Sequence, residues 1–303
     1  MEIINKINQL KESRKAVILA HNYQPGQIQD LADFTGDSLG LSREASQTDA
    51  EVIVFCGVQF MAETAAVLSP KKTVLLPEKT AGCPMADMIS AEQLQELKKN
   101  HPDAIVVCYV NSSVDVKAES DYCCTSANAV EVVKSLPEDS KIIFVPDQHL
   151  GRYVIEQTKR EMILWPGYCP SHVVITVEDI AKTRQEHPDA VVMVHAECTE
   201  PVKAAADEVL STSQMLRFAE KSQAKTFIVG TEVGILHSLR KNRSDADFIA
   251  ASEKAVCPNM KKITLENILW TLEDMSPVVT VDEQIRKKAL KSLERMVEIL
   301  PVK

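Results

Sequence analysis

The chain has 303 residues, eight cysteines and a formal net charge of −9. A net negative charge argues against a protein that binds nucleic acid or an anionic membrane, because both partners require a positive surface. A chain of this length is expected to form about two or three domains. Eight cysteines are too few for a small disulfide scaffold but enough for a metal or catalytic site.

The N-terminal segment, residues 1–15, is charged and amphipathic and lacks the apolar stretch of a signal peptide. The longest apolar runs, such as Ala104–Val110, have the length of β-strands and fall far short of the ~20 residues that cross a bilayer. We therefore expect a cytoplasmic protein without a membrane segment, in which the thiols stay reduced.

The first predicted unit continues from this segment into an apolar strand that ends at residues 20–23, Ala-His-Asn-Tyr. A helix is predicted to begin near Ser38, a second apolar strand covers Val52–Phe55, and a further helix leads to Cys83-Pro84. Continuous apolar strands that alternate with helices are typical of a parallel sheet with helices on both faces.

The same order of elements recurs twice along the chain. His101 and His187 each begin the segment His-Pro-Asp-Ala followed by apolar residues, and they are 86 residues apart. Capping-box patterns predict helix starts at Ser90 and Thr176, again 86 apart. Second strands are predicted at Ile142–Val145 and Phe227–Val229. Offsets of 86 and 88 also separate the three Cys-Pro dipeptides, which begin at Cys83, Cys169 and Cys257.

This repeat predicts an α/β fold of three similar αβα sandwich units, each with a parallel sheet, around a pseudo-threefold axis with the active site at the centre. The predicted units span residues 1–88, 89–174 and 175–262. The remaining tail, residues 263–303, contains a final helix over Asp282–Ile299 that we expect to pack back on the core.

Polar residues follow the first strand of every unit. Ligands of parallel α/β sheets bind beyond the carboxyl ends of the strands, so three related units should bring these ends to one central cavity. The residues at the strand ends are His21, Tyr109, Val110, Asn111, His195, Ala196 and Glu197.

Ser38, Ser126 and Thr212 also occupy equivalent positions, each at a predicted helix N-terminus. Free N–H groups and the helix dipole favour phosphates and carboxylates there. Serine and threonine are also ordinary capping residues, but their recurrence beside polar strand ends favours a binding role. Together with Tyr23 and His172, these residues predict a small, anionic, oxygen-rich substrate and acid–base chemistry.

Cys83, Cys169 and Cys257 are the only cysteines that recur in every unit. A zinc site of three cysteines needs a fourth ligand, for example His172 or water. A four-iron cluster held by three cysteines keeps one iron open to substrate oxygens, so that it can act as a Lewis acid. Spacing does not decide between the two metals. The other cysteines are interpreted as packing residues: Cys56, Cys108, Cys123, Cys124 and Cys198.

Six segments carry a family resemblance. They are HNYQ at 21–24, GDSLGLS at 36–42, Tyr109 to Asn111 with Cys-Thr-Ser at 124–126, PGYCPSH at 166–172, HAEC at 195–198 and CPNMKKITL at 257–265. In order and spacing these segments resemble the quinolinate synthase family along almost the whole chain. The resemblance implies condensation of iminoaspartate (iminosuccinate) with dihydroxyacetone phosphate to quinolinate, phosphate and two waters, in NAD biosynthesis.

The resemblance also implies a [4Fe–4S] cluster held by Cys83, Cys169 and Cys257, whose open iron acts as a Lewis acid. Catalytic proton transfer falls to Tyr23, His21 and Glu197. Substrate binding falls to His21, Ser38, Tyr109, Val110, Asn111, Ser126, His172, His195, Ala196, Glu197 and Thr212. An aspartate-oxidising enzyme that supplies iminoaspartate is a candidate transient partner, and no nucleic acid or membrane is expected.

Two alternatives remain at this stage. The first is another hydro-lyase, with zinc or an iron–sulfur cluster, on the same three-unit scaffold. The second is a non-enzymatic, cluster-based sensor, which would need a surface that binds DNA or RNA. The charge of −9 and the absence of a basic motif argue against the sensor.

Overall fold

The computed structural model describes residues 2–299 and contains three parallel sheets of four strands each. The first sheet and its helices form from the N-terminal quarter of the chain. These elements are α1 (Glu2–Arg14), β1 (Ala16–His21), α2 (Gly26–Leu31), β2 (Phe34–Gly36), α3 (Ser38–Gln47), β3 (Val52–Cys56), α4 (Gln59–Leu68) and β4 (Thr73–Leu75).

The second and third sheets repeat this series. The second contains α5 (Ala91–Asn100), β5 (Ile105–Tyr109), α6 (Val114–Ala118), β6 (Tyr122–Cys124), α7 (Ala129–Ser135), β7 (Ile142–Val145), α8 (Gln148–Thr158) and β8 (Ile163–Leu164). The third contains α9 (Pro170–Val173), α10 (Val177–Glu186), β9 (Val191–His195), α11 (Glu200–Ala204), β10 (Glu208–Leu210), α12 (Thr212–Lys221), β11 (Thr226–Gly230), α13 (Ile235–Asn242) and β12 (Asp247–Ala250). Two tail helices follow, α14 (Leu265–Asp274) and α15 (Glu283–Glu298).

All three sheets have the same strand order. It is β2-β1-β3-β4 in the first, β6-β5-β7-β8 in the second and β10-β9-β11-β12 in the third, and all these pairs are parallel. The central strands are buried, apolar and rich in valine and isoleucine, which suits a sheet covered on both faces. The predicted α/β class with three similar αβα units is confirmed.

One hydrogen bond recurs in every unit and shows how closely the units match. In each unit, the aspartate directly before the edge strand (β2, β6 or β10) accepts a hydrogen bond from a main-chain N–H of the first strand (β1, β5 or β9), at 2.8 Å. The pairs are Asp33 with Ile18, Asp121 with Val106, and Asp207 with Val192. The three aspartates are 88 and 86 residues apart, the offsets found in the sequence.

The short elements of each unit were not predicted. The helices α2, α6 and α11 have five or six residues, and the edge strands β2, β6 and β10 have three. Elements this short do not complete enough periods to be visible as hydrophobic patterns. They matter for the site, because they separate the end of each first strand from the helix that follows the edge strand, which is α3, α7 or α12.

A buried nitrogen donor at an equivalent position of each unit bridges to the neighbouring unit. The donors Gln29, Lys117 and Lys203 are 88 and 86 residues apart and at most 7% exposed. Their bonds are Gln29 Nε2 to the Gly234 carbonyl (2.9 Å), Lys117 Nζ to the Phe60 carbonyl (3.2 Å) and Lys203 Nζ to the His149 carbonyl (2.6 Å). The first unit binds the third, the second the first and the third the second, so these bonds close a ring around the centre.

Replacing Gln29 with leucine is expected to lower the free energy of unfolding by about 2–4 kcal/mol. Its Nε2 also donates to the carbonyls of Asn22 (3.0 Å) and Gln24 (2.8 Å), and its Oε1 accepts from Ser238 Oγ (2.5 Å). Leucine would leave these buried groups unpaired. Gln27→Leu, on the exposed face of α2, is the matched control and should change stability by less than about 0.5 kcal/mol. Equal urea unfolding curves for both variants would contradict the bridging role.

The two tail helices pack on the first two units. The helix α14 lies against α1, and α15 contacts α3, α4, α6 and β6. Thus α15 lies across the first and second units. The predicted helix over Asp282–Ile299 is found at Glu283–Glu298, with Asp282 as its N-cap. The division of the chain after residues 88, 174 and 262 stays a prediction, and residue 1 and residues 300–303 lie outside the described part. Within residues 2–299, no helix is both long and apolar enough to cross a membrane.

Candidate active site

The carboxyl ends of the three sheets surround one central cavity of about 70 Å³, measured as the space open to the centres of water molecules. Thirteen of the residues predicted for the site line it: His21, Tyr23, Ser38, Cys83, Tyr109, Asn111, Ser126, Cys169, His172, His195, Glu197, Thr212 and Cys257. Val110 and Ala196 are buried but do not line it. The cavity therefore joins chemically active side chains from all three units.

His21 and His195 occupy equivalent positions and are held in the same way. The Nδ1 atom of each ring accepts the main-chain N–H two residues later, from Tyr23 and Glu197 respectively, at 3.2 Å. Burial lowers the pKa of each imidazole to about 3, so both rings are neutral near pH 7. Because Nδ1 accepts, the proton resides on Nε2. In His195 this Nε2 lies 3.1 Å from Ser126 Oγ.

Acidification is expected to destabilise the protein through these two rings. Each has a folded-state pKa of about 3 and an unfolded-state value of 6.5, so between these pH values the unfolded chain binds more protons. Stability then falls as the pH falls, by up to about 1.4 kcal/mol per pH unit for each ring. His195→Gln should remove one ring's share from the slope of unfolding free energy against pH, measured in urea on the metal-free chain. An unchanged slope would contradict the neutral state of His195.

Glu197 is the centre of a buried hydrogen-bond cluster. The hydroxyl of Tyr109 donates to its Oε1, and Nδ1 of His172 lies 2.7 Å from its Oε2. Burial acts to raise the pKa of the Glu197 carboxyl, but His172 and the hydrogen bond from Tyr109 outweigh it and hold the pKa below its usual range. Glu197 is therefore an ionised acceptor, although it is only 3% exposed.

Thr231 connects this cluster to Tyr23. Its Oγ1 lies 2.8 Å from His172 Nε2 and 2.6 Å from the hydroxyl of Tyr23. With a proton on Nδ1 facing Glu197, Nε2 of His172 can accept from the Thr231 hydroxyl, which in turn accepts from Tyr23. Burial raises the pKa of Tyr23 well above its usual value, with Glu197 contributing, so the phenol keeps its proton. A continuous hydrogen-bonded chain thus runs from Tyr23 to Glu197.

Thr231 and Glu232 are site residues that the sequence analysis missed. They directly follow β11, whereas only the ends of the first strands were considered as sources of site residues. Glu232 is fully buried and lines the cavity. The signal was present in the sequence, because the polar pair Thr231-Glu232 follows the apolar strand predicted at Phe227–Val229 after a single glycine.

The three recurring cysteines lie in loops that are anchored in the same way. The main-chain N–H three residues after the end of β3, β7 or β11 donates to the carbonyl two residues before each cysteine. The pairs are Gln59 with Ala81 (2.8 Å), Gln148 with Gly167 (2.9 Å) and Val233 with Ala255 (3.0 Å). These anchors bring Cys83, Cys169 and Cys257 to the cavity, and each is partly accessible as a free thiol. The other five cysteines are fully buried and do not line it.

The protonation state of these thiols bears on whether they could hold a metal. Burial raises the pKa of Cys83 to about 12, and burial also raises the pKa values of Cys169 and Cys257. Without a cation the thiols therefore keep their protons, whereas a bound metal deprotonates a coordinating thiol. Cys169 also belongs to a compact group with His172 and Glu197, whose ligand atoms all lie within 4.8 Å of one another.

The predicted helix N-termini are found at two of the three positions. Ser38 and Thr212 are the first residues of α3 and α12, but the capping bonds come from Asp37 and Ser211. Ser126 was expected at a helix start, and this is wrong: α7 begins three residues later, at Ala129, so Ser126 lies in the preceding turn. Asn128 Oδ1 accepts a hydrogen bond from the main-chain N–H of Thr125, which stabilises that turn.

The polar groups of the cavity include no lysine or arginine side chain from the described residues. Hydroxyls, imidazole N–H groups and two helix N-termini are the donors that it offers. Among the described residues that line the cavity, one buried acceptor lacks a partner: Asn111 Oδ1 accepts no hydrogen bond.

Comparisons with known proteins give matches along almost the whole chain. The family model described as "Quinolinate synthetase A protein" matches residues 5–298. A quinolinate synthase of Dehalococcoides mccartyi (strain CBDB1) is 58% identical over 298 residues, which cover 98% of each chain. Quinolinate synthases of Geotalea uraniireducens and Methanosarcina barkeri are 55% and 52% identical, again over 98% of each chain. The similarity therefore includes all three sheets and the whole cavity.

Proposed function

Because the chain belongs to the quinolinate synthase family and is therefore an enzyme, we propose that it condenses iminoaspartate with dihydroxyacetone phosphate. The products are quinolinate, inorganic phosphate and two waters, as a step of NAD biosynthesis. The main support is the hydrogen-bonded chain from Tyr23 through Thr231 and His172 to Glu197, in a cavity that also contains three cysteines. Isomerisation, ring closure and dehydration all require protons to move, and this chain of groups can hold and pass them.

The protonation states favour distinct roles at its two ends. Tyr23 keeps its proton and can donate it to a substrate oxygen, with Thr231 and His172 as the route of replacement. Glu197 is ionised and suits a general base in ring closure and dehydration, with Tyr109 holding its other oxygen. The neutral His21 presents its Nε2–H as a hydrogen-bond donor to a substrate oxygen during ketose–aldose isomerisation.

Substrate anions are proposed to bind at the two helix N-termini and neighbouring donors. Ser38 and Thr212 each begin a helix whose first N–H groups are free for a carboxylate or phosphate. Ser126 and His195 form a third donor group between them. The unpaired Oδ1 of Asn111 suits an N–H or O–H of a substrate. Val110 and Ala196 do not line the cavity, so we propose no direct substrate contact for them.

The donor set fits a [4Fe–4S] cluster held by Cys83, Cys169 and Cys257. One soft ligand comes from each unit, and no fourth cysteine lines the cavity among the described residues. Such a cluster supplies one iron with an open coordination position, which can act as a Lewis acid. All eight cysteines are free thiols, which supports a reducing compartment such as the cytoplasm. An aspartate-oxidising enzyme stays the candidate transient partner.

The experiment that tests this function is an anaerobic product assay. Full-length protein reconstituted with iron and sulfide should form quinolinate when iminoaspartate and dihydroxyacetone phosphate are both present. Omission of either substrate should abolish the product. Failure to form quinolinate by protein that carries a complete cluster would contradict the proposed reaction.

A zinc-dependent hydro-lyase is the alternative that one observation favours. The Cys169 thiol, the His172 imidazole and the Glu197 carboxylate form a group that could bind zinc with one position open. Metal analysis after anaerobic purification separates the two: stoichiometric zinc without acid-labile sulfide favours the hydro-lyase, and iron with equal sulfide favours the cluster.

A further inference from the structure

Glu232 is a buried carboxylate to which the proposed chemistry gives no role. Its side chain is fully buried at the end of β11. Oε1 accepts from Lys261 Nζ at 2.8 Å and from the main-chain N–H of Cys257 at 3.1 Å, and Oε2 accepts from the N–H of Gly234 at 2.7 Å. A buried charge is tolerated only when it is paired and hydrogen-bonded, so these three donors define where this carboxylate must lie.

The other two units show that this contact is specific to the third cysteine loop. All three cysteine loops accept the same main-chain hydrogen bond, from the N–H of Gln59, Gln148 or Val233. The residues equivalent to Glu232, one position before that donor, are Val58 and Asp147. Val58 is apolar, and Asp147 Oδ1 accepts from Leu150 within its own helix. Only Glu232 reaches the amide of a recurring cysteine within residues 2–299.

Lys261 extends this contact to the first unit. Its Nζ, besides pairing with Glu232, donates to the main-chain carbonyl of Tyr23 at 2.5 Å. Gly234 lies among these groups, and there is no room for a side chain at its position. A Cβ atom there would lie 2.6 Å from the Tyr23 carbonyl oxygen and 2.8 Å from both Glu232 Oε2 and Lys261 Nζ. One ion pair therefore connects the loop of Cys257 to the main chain of Tyr23.

We propose that Glu232 is a positioning residue that holds the amide of Cys257 and, through Lys261, fixes this loop relative to Tyr23. The inference rests on the proposed function, in which Cys257 is a cluster ligand and Tyr23 takes part in proton transfer. A carboxylate is required because three donors converge on it. The amide of Gln has one acceptor oxygen, so in Glu232→Gln its NH₂ group must face at least one donor in either orientation.

The first test measures thiol alkylation in the full-length, metal-free chain, followed for each cysteine peptide by mass spectrometry. In Glu232→Gln, Cys257 should react about tenfold faster than in the wild type, because its loop opens more often. Cys83 and Cys169 should react at unchanged rates and serve as internal controls. Glu253→Gln, at an exposed glutamate four residues before Cys257, should leave all three rates unchanged.

The second test measures how fast the reconstituted protein loses its ~400 nm absorption to an iron chelator, with the cluster as the chromophore. Glu232→Gln weakens the contact that orients the proposed ligand Cys257, so it should speed cluster release about tenfold or more. Lys261→Met, at a side chain that is 27% exposed, should act in the same direction and keeps the test valid if the first variant folds poorly. The double variant should release the cluster no faster than the more affected single variant, because both act through one contact.

Unchanged Cys257 alkylation and unchanged cluster release in Glu232→Gln and Lys261→Met would overturn this role, even if the wild type makes quinolinate. Equal acceleration at all three cysteines would also overturn it, because it would show general destabilisation instead. A wild-type chain that takes up no iron and sulfide would instead contradict the proposed cofactor. The alkylation rates would still decide whether Glu232 positions Cys257.

Discussion

Replacement of Cys257 by alanine should leave a folded chain that holds no stable [4Fe–4S] cluster and has lost quinolinate synthesis. The physical reason is the ligand count, because a cluster held by only two cysteines lacks one of the three protein bonds that the site supplies. A Lewis-acidic metal lowers an activation barrier by several kcal/mol, so without it the rate should fall about 10³-fold or more. Iron and sulfide content, the ~400 nm absorption and the anaerobic product assay measure the effect.

Cys56→Ala is the matched control for this experiment. Cys56 is fully buried at the end of β3 and does not line the cavity, so its removal changes packing and not the ligand set. It should keep the cluster and the activity at a stability cost below about 2 kcal/mol. Full cluster content and activity in Cys257→Ala would remove this cysteine from the ligand set.

Glu197→Gln should lower kcat by about 10²–10⁴-fold while leaving the cluster absorption intact. The substitution removes the ionised acceptor on which Tyr109 and His172 converge, and the NH₂ group of glutamine must face one of these donors. The ~400 nm absorption distinguishes lost catalysis from a lost cluster. Circular dichroism shows whether the variant is folded.

Glu186→Gln serves as the control, since this glutamate is exposed at the end of α10 and remote from the cavity. It should turn over at the wild-type rate. Wild-type turnover in Glu197→Gln would remove Glu197 from the acid–base role and leave Tyr23 as the main proton-transfer residue.

The sequence predicted the parts of this molecule that repeat. Equivalent residues at offsets of 86 and 88 predicted three parallel sheets, and they predicted that Cys83, Cys169 and Cys257 lie around one cavity. A repeat has this power because symmetry-related units place equivalent residues around one axis. A single cysteine or histidine considered alone would have been assigned to ordinary packing.

Contacts that break the repeat could not be predicted in this way. The bond between Tyr23 and Thr231 joins residues 208 positions apart, and only the packing of the first unit against the third creates it. The same holds for the contact of Lys261 with Tyr23, which are 238 positions apart. The positions equivalent to Glu232 in the other units hold the shorter side chains of Val58 and Asp147. Local hydrophobic patterns contain no information about such pairs.

The proposed substrates are anions, whereas the chain has a net charge of −9. No lysine or arginine from residues 2–299 lines the cavity. The donors that the cavity has for an anion are hydroxyls, imidazole N–H groups and the first N–H groups of two helices. Net charge describes the outer surface of the protein and places no limit on the chemistry of a buried site.

The most direct test of the central claim relates quinolinate formation to cluster content in the same samples. Full-length protein reconstituted anaerobically to a series of iron loadings should form quinolinate at a rate proportional to the fraction of chains that hold four irons and four sulfides. Full activity in protein without iron and sulfide would contradict the account, and so would protein that is replete with cluster but forms no quinolinate from iminoaspartate and dihydroxyacetone phosphate.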